Sequence, residues 1–231
     1  MADILKSEDY TEPRCLLDIH PDIVHIPIGR IIDKLDLYLS KNNHTEAERH
    51  LQYWLTEADT GHDMRGKLTI LNEQIGLYRK LGKGPECLTA ISQALTLADT
   101  LDIKNTITYG TTLINAATGY KAFGKTTDAL PLYRMAQDIY ESNLDPVDGR
   151  LGGLYNNMAL TLAELKNYRE AEENYQKAIE IMSKKENGEL ETAITYLNLA
   201  DLIFNEKGPE SGEKQICEYV EKAEKLLNAK T

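Results

Sequence analysis

Cysteine and the large apolar aromatics are scarce in this chain, and long apolar runs are missing. The 231 residues include three cysteines, two phenylalanines and one tryptophan. Cys15, Cys87 and Cys217 are widely spaced and odd in number, with no CxxC pair and no zinc-finger spacing. The five histidines, His20, His25, His44, His50 and His62, form no HExxH motif and no i, i+4 pair on one helix. No metal is expected from such a set. There is no glycine-rich phosphate loop and no GxSxG elbow, so neither nucleotide binding nor serine hydrolysis is indicated. No apolar stretch approaches the ~20 residues that span a bilayer. The first residues, MADILKSEDYTEPR, lack the basic start and apolar core of a secretory signal, so a cytoplasmic chain is expected. Positive charge is also in deficit. The formal net charge of −11 argues against a nucleic-acid surface, which needs clustered Lys and Arg, and against an anionic membrane.

What is present suits a soluble folded chain: 42% hydrophobic and 27% charged residues. Residues 152–184 carry the clearest pattern. Tyr155, Met158, Ala159 and Leu162 fall on one face of a helix. Tyr168, Ala171, Tyr175 and Ala178 fall on one face of a second. The small residues allow two helix backbones to approach, and the tyrosines fill the space between them. The order recurs upstream as Leu113, Ala116, Ala117 and Tyr120, then Ala129, Tyr133 and Ala136. Ala129 to Ala171 is 42 residues, and so is Ala136 to Ala178. A fixed period of this kind marks a repeat array. The thirteen tyrosines are then mostly core residues, and Cys87, equivalent to Ala129 and Ala171, is a small core residue as well.

Five helical pairs follow from this register, over residues 28–58, 63–100, 104–142, 148–184 and 188–228. Gly82, Gly84 and Pro85 break the second pair, and Gly124 breaks the third. Asp145 is a candidate N-cap for the fourth, with Pro146 in its first turn, and Asn167 a candidate cap at its internal turn. Trp54 takes the place of a small residue in the first pair, as suits an end repeat. The second pair begins weakly, because Asn72-Glu73-Gln74 puts polar residues near the apolar face. In the fifth pair Ile216, Val220 and Ala223 arrive late, so FNEKGPESGEK is expected to be a longer loop. Residues 1–27 lack a helical period and contain Pro13, Pro21 and Pro27. They form either an irregular strap over the open end of the first repeat or a segment lying in the groove.

The motifs Ala171-x3-Tyr175-x2-Ala178 and Ala129-x3-Tyr133-x2-Ala136 resemble the second helix of tetratricopeptide repeats. The common period of that family is about 34 residues. The longer period here, with Leu154-Tyr155-Asn156-Asn157-Met158-Ala159, resembles the long-helix subgroup typified by kinesin light chain. The resemblance covers about residues 28–228. It implies an all-α, right-handed superhelix whose first helices line a concave groove. It implies protein or peptide binding without catalysis and without a cofactor.

If the core faces are known, the opposite sides of the first helices face the groove. They carry Thr111, Ile114, Asn115, Thr118 and Lys121 in the third repeat. In the fourth they carry Gly153, Asn156, Asn157, Leu160 and Glu164. In the fifth they carry Ile194, Leu197, Asn198, Asp201 and Asn205. Asn115, Asn157 and Asn198 make one row, and Asn72 and Asn156 a neighbouring one. Asparagine inside a helix costs ~0.7 kcal/mol relative to alanine, so its recurrence argues for a role. An amide can pair with both the N–H and the C=O of an extended peptide. Related long-helix repeats hold peptides through such asparagine ladders, as the resemblance implies. The same amides could instead tie neighbouring repeats together. Arg79 and Lys121, with Lys80 beside them, could make a basic step for a ligand carboxylate or belong to a solvated face. The basic residues of a chaperone-tail clamp are missing at the groove positions Ile32, Asp36, Thr111 and Asn115. Glu170, Glu172 and Glu173 alternate with Lys and Arg on a solvated helix back, and His50 is placed on an exposed face.

The expectation is a non-catalytic protein-interaction scaffold that holds an extended partner segment in its groove. The alternatives are an array that self-associates through its ends or is autoinhibited by its strap, and a peptide-sensing regulatory module of a signalling system.

Overall fold

A computed structural model describes residues 23–228. The described residues contain nine helices and no strand. They are α1 (Ile28–Ser40), α2 (His44–Thr60), α3 (Met64–Lys80), α4 (Gly84–Thr100), α5 (Ile107–Ala122), α6 (Thr126–Asn143), α7 (Gly149–Glu164), α8 (Tyr168–Met182) and α9 (Glu189–Asn228). The described residues divide into two compact units between Asp102 and Ile103.

The helices alternate with short connections, and those inside the helical pairs share one feature. A residue with left-handed backbone lies inside each helical pair: Asn42, Gly82, Gly124, Lys166 and Gly208. Their separations are 40, 42, 42 and 42 residues. Glycine and asparagine adopt this conformation at little cost. Lys166, with φ of 61°, is the exception to that chemistry.

In the first unit, α2 packs between α1 and α3, and α3 packs on α4. The core holds Ile31, Leu35, Ala47, Leu51, Trp54 and Ala58. His50 belongs to this buried face and not to an exposed one, being 1% exposed. It lies three residues after Ala47 and four before Trp54, so the helical period carries it inward. Its Nε2 lies 2.9 Å from the Ile31 carbonyl oxygen, and its ring meets Tyr38 and Trp54 edge-on. Cys87 is fully buried, as its alignment with Ala129 and Ala171 requires.

Of residues 1–27, those before 23 lie outside the described residues, and with them lies the test of whether this segment occupies a groove. Residues 23–27 have no regular secondary structure. Val24 N–H donates to Gly61 O at 2.8 Å, and Ile26 N–H donates to Asp63 Oδ2 at 3.0 Å. Asp63 also caps α3 by accepting from Gly66 N–H at 2.9 Å. A β-carbon at Gly66 would collide with Ile26 and Asp63, so glycine permits this close approach.

In the second unit, α7 contacts α5, α6, α8 and α9. The tyrosine–alanine motifs form the core as their spacing demands: Ala129, Tyr133, Ala136, Ala171, Tyr175 and Ala178 are each at most 1% exposed. Burying a tyrosine ring removes roughly 150–250 Å² from water, so these rings dominate the packing. Two local expectations are corrected. The N-cap of α7 is Asp148, which accepts from Arg150 N–H at 2.9 Å, while Asp145 closes the preceding turn by accepting from Val147 N–H. The longer loop expected after Phe204 is absent. Helix runs up to Gly208, which turns the chain at φ 76°, and Pro209 starts the next helical segment. The Tyr196 and Tyr219 rings stack with centroids 6.1 Å apart, which a straight helix of that length would forbid. The second half of α9 therefore folds back on the first. Asn167 occupies the N-cap of α8, but its side chain donates to Glu170 Oε2 at 2.7 Å rather than accepting from the backbone.

Candidate peptide-binding face

The first helices of the second unit, α5, α7 and the 189–207 part of α9, each bury one side. Leu113, Ala116 and Ala117 are buried on α5; Tyr155, Met158, Ala159 and Leu162 on α7; Leu199, Ala200 and Ile203 on α9. The opposite side is open. Thr111, Glu164, Asp201 and Asn205 are exposed, and Ile114, Asn115, Asn156, Asn157, Leu160 and Asn198 are half-buried. A β-carbon added at Gly153 would meet nothing within 4 Å. Ile194 and Leu197 are 46% and 40% exposed.

The two asparagine rows fare differently. Asn198 Nδ2 donates to Asn156 Oδ1 at 3.1 Å, joining α9 to α7, and Thr195 Oγ1 lies 3.3 Å from the same oxygen. These two amides therefore tie neighbouring repeats. The pair uses one oxygen of Asn156 and one N–H of Asn198. It leaves the Asn156 NH2 and the Asn198 Oδ1 available to a further partner. The Asn157 side chain makes no hydrogen bond among the described residues; its backbone carbonyl accepts from Thr161. Asn115 is half-buried on α5. In the first unit, Asn72 Nδ2 donates to its own helix at Leu68 O, 3.1 Å away. Thr195 carries no signal in the sequence, since a hydroxyl shared between two helices leaves no periodic mark.

Charge on this face is mostly matched. Lys121 Nζ donates to Glu164 Oε1 at 2.9 Å, and Thr126 Oγ1 to Glu164 Oε2 at 2.8 Å. Thr111 and Thr118 turn toward α6, where they meet the hydroxyls of Tyr140 and Tyr133 at 2.7 and 2.8 Å. Arg79 and Lys80, in the last turn of α3, are exposed in the first unit, where a cation also favours the helix dipole. Burial pushes the Tyr175 hydroxyl well above its ordinary range, and the nearby Asp201 carboxylate pushes it further. No helix of the described residues is long and apolar enough to cross a membrane. No group of three or more His, Cys, Asp or Glu among them is placed to hold a metal ion.

The comparisons with known proteins bear on the same helices. The Tetratricopeptide repeat family model matches residues 151–208, which span α7, α8 and the start of α9. No curated protein matches the chain in sequence. Among solved structures, the fold is similar to BtubC (BKLC) from P. vanneervenii. The TM-score is 0.77 at 17% identity, over 88% of this chain and 80% of that one. It is similar to a putative kinesin light chain with nearly identical TPR-like repeats from Podosopora anserina. There the TM-score is 0.71 at 16% identity, over 93% of this chain and 99% of that one. MamA from Desulfovibrio magneticus RS-1 is similar at a TM-score of 0.60 and 15% identity, over 87% and 96% of the two chains. Residues 151–208 thus match the tetratricopeptide-repeat family, and the all-helical fold of the described residues resembles that of kinesin-light-chain-like repeat structures.

Proposed function

We propose that this chain is a non-catalytic scaffold that holds an extended peptide or partner segment against the open face of α5, α7 and α9. The tetratricopeptide fold itself suggests a protein–protein interaction scaffold. The observation that carries the finer reading is Asn157. It sits in a helix interior, where asparagine is disfavoured by ~0.7 kcal/mol, and its amide has no hydrogen-bond partner among the described residues. In this reading Asn115, Asn157 and Asn198 pair with the ligand backbone, and Asn156 contributes its free NH2 while holding Asn198 in place. In the first unit, taken by itself, Asn72 offers an equivalent amide once it leaves its own helix, and the exposed Arg79 is a cation for a carboxylate. Lys121 does so only by exchanging Glu164 for the ligand. The net charge of −11 supports a protein partner over nucleic acid or an anionic membrane, and a cytoplasmic location belongs to the same reading.

A paired pull-down from the source lysate tests it, with mass spectrometry of what binds and circular dichroism of both proteins. The wild type retains a protein that the folded Asn115→Ala, Asn157→Ala variant loses. Equal capture by both would sink the asparagine mechanism.

A further inference from the structure

The open face of the 189–207 part of α9 also carries an apolar stripe that its own unit leaves uncovered. Leu190, Ile194, Leu197 and Phe204 are 53%, 46%, 40% and 51% exposed. Steps of four, three and seven residues place them in one stripe along the helix. One carboxylate interrupts the stripe. Asp201 lies between Leu197 and Phe204, is exposed, and forms an ion pair with no basic side chain among the described residues. Next to it Asn198 presents an unused carbonyl oxygen. The Tyr175 ring is buried beneath, and its hydroxyl makes no hydrogen bond among the described residues.

We propose that this stripe docks a partner segment in which a lysine or arginine accompanies a large apolar side chain. The cation meets Asp201, and the apolar group rests on Ile194 and Leu197. The inference rests on the reading that this open face binds a peptide, and it names the ligand chemistry. Whatever covers the stripe also takes Asp201 out of water. An uncompensated buried carboxylate is costly, so the cover must bring a positive group. An ammonium has three donors, and Asp201 and the Asn198 oxygen, three residues apart on one helix, are acceptors for two of them. The acidic chain as a whole favours a cationic segment's approach. A second copy fits poorly. Two α9 helices antiparallel about Leu197 would set Asp201 against the partner copy's apolar stripe, and two parallel ones would set Asp201 against the same residue in the other copy. Neither arrangement supplies a cation.

The test is a display selection of random short peptides on the immobilised full chain, followed by fluorescence anisotropy of the enriched sequences. Enriched peptides should share a Lys or Arg close to Leu, Ile or Phe. Asp201→Asn should weaken them by about five- to tenfold, somewhat more than an exposed ion pair gives. Asp201→Lys should lose them, and a fresh selection on that variant should enrich Asp or Glu instead. Peptides without a basic residue, or affinity unchanged by Asp201→Lys, would overturn the inference. Gly153→Gln separates it from the wider reading, because the new side chain fills open space on the same face. If Gly153→Gln blocks binding and Asp201→Lys does not, peptide binding stands and the cation subsite falls. If neither blocks it, both fall. Failure to enrich any peptide would overturn both. So would a concentration-dependent mass abolished by Ile194→Ser with Leu197→Ser, since a second copy would then be the occupant.

Discussion

Asn198 donates to Asn156 across 42 residues of sequence, so the same amides that face the open side also hold two repeats together. The pair should therefore register in stability. In a double-mutant cycle, Asn156→Ala and Asn198→Ala should couple by about 0.5–1.5 kcal/mol, the net worth of one hydrogen bond. Asn157→Ala should be neutral or slightly stabilising, since alanine is the better helix former and no bond is lost. Urea denaturation of the four proteins in the cycle and of Asn157→Ala measures both. Zero coupling between Asn156 and Asn198 would contradict the repeat-tying role.

Tyr133 and Tyr175 are equivalent core rings with different hydroxyls. Thr118 Oγ1 donates to Ile114 O at 2.8 Å, so the Tyr133 hydroxyl is the donor in its 2.8 Å contact with Thr118. Tyr175 has no such bond among the described residues. Tyr133→Phe should cost about 1 kcal/mol, and Tyr175→Phe less than about 0.5 kcal/mol. Equal costs, measured by denaturant midpoint, would show that the two hydroxyls are in like environments.

Lys166 occupies a left-handed turn position that its equivalents fill with Gly82, Gly124 and Gly208. It is exposed and forms no ion pair among the described residues. Lys166→Gly should raise stability by about 0.5–1 kcal/mol, through relief of the β-carbon penalty. Gly124→Ala, at φ 74°, should lower it by a similar amount. A melting temperature that falls with Lys166→Gly would mean that the side chain makes a contact outweighing its backbone cost.

Burial lowers the pKa of His50 below its ordinary 6.5, the Ile31 carbonyl only partly offsetting this. The folded chain then keeps His50 neutral where the unfolded chain protonates it. Its contribution to stability is complete above about pH 6.5. It declines as pH falls from there through the lower folded value, by at most about 1.4 kcal/mol per pH unit. Urea titrations between pH 7.5 and pH 5, values chosen to bracket about 6.5, should show this loss. His50→Gln, which keeps a donor for Ile31, should flatten it. An unchanged slope in His50→Gln would place the acid sensitivity elsewhere.

The repeat was legible because its core is local. Ala129, Tyr133 and Ala136 lie within two turns of one helix, and a copy 42 residues on repeats the pattern. The turns are legible at Gly82, at Gly124 and, through Asn167, beside Lys166, but the left-handed backbone of Lys166 itself has no signature in residue type. Asp145 reads as the cap from sequence because Pro146 follows it. Both aspartates cap something, and only backbone geometry decides which begins the helix. His50 was misplaced because residue type outweighed position; its spacing from Ala47 and Trp54 pointed inward. The open-face residues could be enumerated from the helical period. Their partners could not, because Asn156–Asn198 and Lys121–Glu164 are contacts between helices some 42 residues apart.

The most direct test of backbone reading is a calorimetric titration of the tightest peptide, obtained by selection on the full chain, in a cycle of two changes. One is Asn157→Ala in the protein; the other is N-methylation of each ligand amide in turn, which removes one backbone donor while keeping every side chain. The account predicts that one methylation weakens binding to the wild type by about tenfold, worth about 1.4 kcal/mol, and has little further effect on Asn157→Ala. Losses that simply add, at every ligand position, would contradict it.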